Sequence, residues 1–164
     1  MKKGFTLIEL LVVISILGIL STIGLSSFTA AQAKVRDAKR KAYLSQVAAS
    51  LEAYNSDHKK YPDSDISGQI KACGAGFNTA CTWSADSLKD ANGTTYMVKL
   101  PADPSTDRSF FYASLDSGKK FQLYSRLENT QDLQIKTLTS PNCGTQLCNW
   151  GVASSNIAWE EGRL

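Results

Sequence analysis

The sequence predicts an α+β protein: one long N-terminal α-helix packed on a small antiparallel β-sheet, with a disulfide-stapled C-terminal region. Three observations carry this. No proline occurs before Pro62, and Gly18 and Gly24 are the only glycines between Phe5 and Tyr61, so little interrupts a helix. Short runs with strand character, separated by turn residues, appear only later in the chain. The four cysteines, Cys73, Cys81, Cys143 and Cys148, all follow the predicted helix.

The helix is expected from about Thr6 to about Ser56, roughly 75 Å at about 1.5 Å per residue. Its two halves differ. Leu10 to Ala33 carry no charge, and at that rise the run reaches roughly 36 Å, enough for a hydrocarbon core of about 30 Å. A cleavable secretory signal has a shorter apolar stretch of about 7–15 residues and a small-residue cleavage site. Ala30-Ala31-Gln32-Ala33 imitates that site only weakly, so a retained apolar helix is expected. Beyond Ala33 the apolar positions are periodic: Val35, Ala38 and Ala42, then Leu44, Val47, Ala48, Leu51 and Tyr54. The second set repeats at i, i+3, i+4, i+7, one face that a domain must cover.

Glu9 is the one acid at the start of the apolar half. An ionised carboxylate in a bilayer costs at least a few kcal/mol and marks function by default. Its alternative is an acid snorkelling at the membrane edge. Leu, Ile and Val offer no partner, so Glu9 calls for a positive group from elsewhere. Lys34, Arg36, Lys39, Arg40 and Lys41 form a cationic cluster opposed only by Asp37. The expectation is a solvated helix face just outside the membrane, with anionic headgroups or a neighbour's Asp57 as further partners.

Tyr61-Pro62-Asp63 ends the helix, because the residue before proline disfavours helical torsions. Residues 62–94 read as a connecting loop with a disulfide and a short helix near Ser84–Lys89. Strands are expected at Thr95–Leu100, Ser109–Leu115, Lys120–Leu127 and Gln134–Leu138, with a hairpin turn at Asp116-Ser117-Gly118. In the third of these, Phe121, Leu123, Ser125 and Leu127 alternate with Gln122, Tyr124, Arg126 and Glu128, the pattern of a sheet wet on one face. The tail from Pro141 reads as irregular.

The cysteine spacings, C-x7-C and C-x4-C, are not the common zinc spacing, and His58 is the only histidine. An even count beside a membrane-length helix favours disulfides in an oxidising compartment. Of three possible pairings the local one, Cys73–Cys81 with Cys143–Cys148, is expected. His58 reads as a cap on the helix dipole. Trp83, Trp150 and Trp159 read as core or subunit contacts. The chain has no Gly-rich phosphate loop and no G-x-S-x-G, so it does not read as an enzyme and no cofactor is expected. Its formal charge of +3, from 18 cations against 15 anions, is too small a bias to argue for nucleic acid.

Lys2-Lys3-Gly4-Phe5-Thr6-Leu7-Ile8-Glu9-Leu10-Leu11-Val12-Val13 closely resembles the class III signal and N-terminal segment of type IV pilins and pseudopilins. The resemblance is strong over about residues 1–60. It continues more loosely through Leu100-Pro101-Ala102-Asp103-Pro104 and the aromatic hairpin after it. It implies a leader at 1–4, a transmembrane and filament-core helix at 5–33, an amphipathic helix at 34–61, the loop at 62–94, and the sheet with its stapled tail at 95–164.

The resemblance also implies a life cycle. A prepilin peptidase cuts after Gly4 and methylates the amine of Phe5. A single-pass precursor in the inner membrane is extracted by a platform protein and an assembly ATPase. Subunits then stack by their N-terminal helices into a homo-oligomeric, extracellular helical filament serving adhesion, motility or DNA uptake. The alternative is a pseudopilin of a type II secretion or competence system. A membrane-anchored binding domain that does not polymerise is the alternative of another class. In the filament, Phe5 and Glu9 of neighbouring subunits are expected to pair. Many pilins carry a proline where this chain has Ser26 and Ser27, so local melting near Gly18 and Gly24 is weighed against simple close packing of helices.

The positive-inside rule alone would place the cationic cluster in the cytoplasm. The family orientation and the cysteines place it outside. Asp90-Ala91-Asn92-Gly93-Thr94 is an acceptor pattern for glycosylation at Asn92, or simply an Asn-Gly turn. Asp103, Asp107 and Asp116 are candidates for the calcium that major pseudopilins bind in a similar region, or are solvated loop acids.

Overall fold

The computed structural model describes residues 4–74 and 76–161; within 23–27 it describes the helical backbone alone. Met1–Lys3, the surroundings of Gly24 and the side chains of Ser26 and Ser27 therefore lie outside the described residues.

One α-helix, α1, runs over Leu7–His58. Its start is fixed by a capping box. The Thr6 side chain accepts from the Glu9 backbone N–H, and the Glu9 side chain accepts from the Thr6 backbone N–H. Its end is a left-handed residue, Lys59 at φ 60, whose N–H donates to Asn55 O at 2.8 Å. Ten short strands follow among the described residues, all antiparallel where paired: β1 Asp63–Ser64, β2 Ile70–Cys73, β3 Thr79–Ala80, β4 Leu88–Lys89, β5 Thr95–Met97, β6 Phe111–Leu115, β7 Lys120–Ser125, β8 Asn142–Cys143, β9 Gln146–Leu147 and β10 Trp150–Ala153.

The main sheet has the order β10-β7-β6 and a smaller sheet the order β1-β2-β3; β4-β5 and β8-β9 are separate two-stranded pairs. The β6–β7 hairpin turns through Asp116, Ser117 and Gly118, all at positive φ. Gly118 tolerates this without strain, and its carbonyl accepts from Tyr61 N–H at 2.7 Å, tying the hairpin to the end of α1.

The core lies between α1 and the main sheet. Leu44, Val47 and Leu51 of α1 pack with Ile70, Leu88, Leu100, Phe110, Tyr112, Phe121, Leu123, Leu127 and Trp150. The disulfides are Cys73–Cys81, joining β2 to the residue after β3, and Cys143–Cys148, closing the β8–β9 loop.

Several expectations are corrected. Residues 62–94 carry four short strands, and Ser84–Lys89 ends in β4 instead of a helix. Gln134–Leu138 is a turn and extended chain without ladder partners, while the tail contributes β8, β9 and the edge strand β10. The sheet is not wet on one face. Gln122 and Tyr124 are buried under a second cluster of Phe111, Ala113, Leu138, Cys143 and Cys148, flanked by Trp159. Gln122 is buried because it is satisfied: its Oε1 accepts from Tyr124 Oη at 2.8 Å and its amide donates to the carbonyls of Ala158 and Glu161. The stapled tail folds back over the face that alternation marked as solvent-facing.

Candidate assembly site on the N-terminal helix

Along the first half of α1 the apolar side chains that are described have no covering layer. Phe5 is 83% exposed and Leu7 82%, and Leu10, Ile14, Leu17 and Leu20 are exposed likewise. Exposed apolar area on this scale marks a surface meant for lipid or another protein. Among the described residues no helix is long and apolar enough to cross a membrane; the uncharged run from Leu10 to Ala33 passes through residues 23–27, whose side chains are not described.

Glu9 projects from this bare surface, and its carboxylate already has partners. Thr6 N–H donates to Glu9 Oε2 at 2.8 Å and Thr6 Oγ1–H at 2.6 Å, while Glu9 N–H donates to Thr6 Oγ1 at 3.3 Å. A carboxylate here also faces the positive end of the helix dipole. Among the described residues Glu9 is thus satisfied by neutral donors and meets no cation. The signal was present in the sequence as Thr6-x-x-Glu9. The expected site residues cluster: Gly4 and Phe5 immediately precede the cap, so a cut after Gly4 would create an amine beside it.

The second half of α1 is closed by its own head, and the closing group is ionic. Arg40 is fully buried. Its Nε and Nη2 donate to the two oxygens of Asp103 at 2.9 and 2.7 Å, a bidentate pair. Nη1 donates to Asp37 Oδ1 at 2.9 Å and Glu128 Oε1 at 2.7 Å, and Nη2 also reaches Ser105 Oγ at 2.9 Å. Asp37 in turn accepts from the backbone N–H groups of Glu128 and Asn129. Arg36 forks onto Glu128, and Lys41 Nζ reaches Asp132 at 2.6 Å.

Burial opposes the charge of Arg40, but the hydrogen bonds to Asp103 and Glu128 outweigh it and raise its pKa above the ordinary value. The hydrogen bond from Arg36, aided by Arg40 against the cost of burial, lowers Glu128 to about 2. The expectation of a solvated cationic face is therefore corrected. Lys34 and Lys39 remain exposed, whereas Arg36, Arg40 and Lys41 fasten the helix to the head.

The other expected sites disperse. Asp103 belongs to Arg40, Asp116 pairs with Lys120 at 2.7 Å, and Asp107 lies 3.9 Å from Arg108. Among the described residues no group of three or more His, Cys, Asp or Glu is arranged to hold a metal. Asn92 is exposed at the tip of the β4–β5 turn. The Asp90 carboxylate before it is buried and accepts from the N–H groups of Asn92 and Thr94 and from Tyr96 Oη, with His58 Nε2 at 3.1 Å. His58 sits in the last turn of α1, stacked on Tyr54. Trp150 is core, and Trp83 and Trp159 pack against the two clusters.

The prokaryotic N-terminal methylation motif matches residues 1–25. Over 116 residues the chain is 31% identical to the type IV wide pilus major component PilA4 of Thermus thermophilus, covering 71% of this chain and 84% of that protein. The chain belongs to the type IV pilin and pseudopilin family. This pilin-type subunit is also 29% identical over 126 residues to the type II secretion system core protein G of Pseudomonas aeruginosa, covering 76% of this chain and 82% of that one. A shorter match, 34% identical over 62 residues, links 38% of the subunit to 28% of the type IV major pilin protein PilA of Myxococcus xanthus. No solved structure matches significantly. The relatives are named as structural components, which fits a subunit that is not an enzyme.

Proposed function

We propose that this pilin-type subunit polymerises into an extracellular type IV pilus through its N-terminal helix. The observation that carries the reading is the contrast within α1: a head already closed on residues 37–51, and an apolar half whose described large apolar side chains are exposed. Burying that surface against lipid, and later against other copies, is what the hydrophobic effect demands.

In this reading the precursor spans the inner membrane by residues 5–33, with the head outside, where its disulfides persist. A prepilin peptidase removes Met1–Gly4 and methylates Phe5; a platform protein and an assembly ATPase drive extraction. A glycine at position 4 leaves the scissile backbone unobstructed. Outside water, the Phe5 amine of one subunit meets Glu9 of another. The pair works as a register device: matched it is tolerated, and mismatched it leaves a buried charge. Because Glu9 already caps its own helix, it is held in one place before its partner arrives. A head of this length translocates largely regardless of its charge, so the cationic cluster does not hold it in the cytoplasm.

A pseudopilin role is the second reading, favoured by the likeness to core protein G over most of its length. Intact mass of the purified subunit tests the shared part: a chain starting at methylated Phe5 supports both readings, and an uncut chain from Met1 supports a membrane-anchored binding domain instead. Electron microscopy of the cell surface separates the first two, with long filaments expected for a pilus.

A further inference from the structure

Where α1 leaves its apolar half, an open cavity of about 560 Å³ lies between the helix and the segments that flank the main sheet. One wall is helical, Ala30, Ala33 and Arg36; the other comes from the sheet side, with Arg108, Arg126 and Glu128. Three guanidinium groups thus face one carboxylate, and that carboxylate is already shared with Arg36 and Arg40. The surplus charge belongs to the sheet-side arginines. Arg126 makes one hydrogen bond, from Nη1 to Leu147 O at 3.0 Å, and no ion pair among the described residues. Arg108 donates from Nη1 to Arg126 O at 3.1 Å, with carboxylates at 3.6 and 3.9 Å. Its Nε is shielded from solvent and makes no hydrogen bond among the described residues.

The guanidinium of Arg126 lines the open cavity with further donors that no acceptor among the described residues takes, and a planar guanidinium suits bidentate recognition of a phosphate. The geometry points to a site for the phosphate of an anionic phospholipid, held by Arg108 and Arg126 beside the helix exit. The position selects the ligand. Ala30 and Ala33 lie within the last four residues of the uncharged run. A helix crossing the bilayer there holds the cavity at headgroup depth, where a guanidinium fork matches a phosphodiester. The inference rests on the membrane-spanning precursor proposed above. It adds a lipid contact that orients the head and must be given up when the subunit leaves the membrane.

The test uses the full chain, with carbon-13 in its arginine guanidinium groups. It is reconstituted in vesicles of phosphatidylglycerol and phosphatidylethanolamine, in buffer free of inorganic phosphate. Recoupling to phosphorus-31 should dephase part of the arginine signal, and Arg126→Gln should lose part of that component with the head's melting temperature unchanged. Arg108→Gln should lose it also, but Arg126→Gln decides, because this side chain anchors no ion pair. Undiminished dephasing in Arg126→Gln, or equal dephasing in pure phosphatidylcholine, overturns the site. Flotation of the vesicles at alkaline pH reads insertion separately. A chain that floats without the arginine–phosphorus contact sinks this inference alone; one that does not float sinks the membrane reading with it.

Discussion

Along residues 7–33 the helix is apolar nearly all round, and its large apolar side chains that are described are exposed. Along 34–58 only one stripe is buried, and the head covers it completely at Leu44, Val47 and Leu51. Each half also carries a charge that is expensive away from water. In the second half, Arg40 finds three carboxylates within its own chain. In the first half, Glu9 finds only the neutral donors of Thr6 among the described residues. A charge satisfied internally holds one fold together, and a charge left without a counter-ion selects a partner.

This contrast can be tested by removing each charge in turn. Glu9→Ala should have the largest effect: filaments are lost while the head of the detergent-solubilised subunit melts as in the wild type. Abundant filaments from this variant would show that Glu9 only caps its helix. Arg40→Ala should do the reverse in kind, lowering the stability of the head by about 3–5 kcal/mol, because Asp37, Asp103 and Glu128 lose their shared cation. Denaturant titration followed by tryptophan fluorescence measures it, and a loss under about 1 kcal/mol would mark the network as a surface feature.

Acid should weaken the same network. Glu128 is lowered to about 2 by the hydrogen bond from Arg36, then Arg40. A depressed carboxylate contributes stability that is fully present above its unfolded pKa and is lost as pH falls towards the folded one. The head should therefore lose up to about 3 kcal/mol between pH 5 and pH 2, and Glu128→Gln should flatten that slope. The smallest effect is expected from the staples. Replacing Cys73 and Cys81 by serine should cost about 2–3 kcal/mol, since the closed loop is short, with filament assembly retained if the head stays folded.

The division of the helix was legible in the sequence because it follows from charge and periodicity alone. What the apolar positions concealed was the true buried face. Val35, Ala38 and Ala42 continue a helical rhythm but are exposed, and the covered stripe runs through Asp37, Arg40, Leu44, Val47 and Leu51. Its first two positions are charged, so a reading by hydrophobicity passed over them. Their partners, Asp103 and Glu128, lie 63 and 88 residues from Arg40, and pairing over such separations leaves no local pattern. The same reason hid β10. Its run Trp150–Ala153 is short and weakly alternating, and it becomes a strand only by pairing with β7. Gln122 and Tyr124 read as solvent-facing because nothing in their own strand announces the tail that covers them. At Glu9 the opposite held: the capping box was local, Thr6 to Glu9, and available to reading.

Cryo-electron microscopy of assembled filaments, at a resolution that shows side chains, tests the account most directly. The expected map places the methylated amine of Phe5 in one subunit within ~4 Å of the Glu9 carboxylate of another, with Arg40 still seated on Asp103 inside each head. A map in which Glu9 remains on its own Thr6, with no cation from a neighbour near it, would contradict the account.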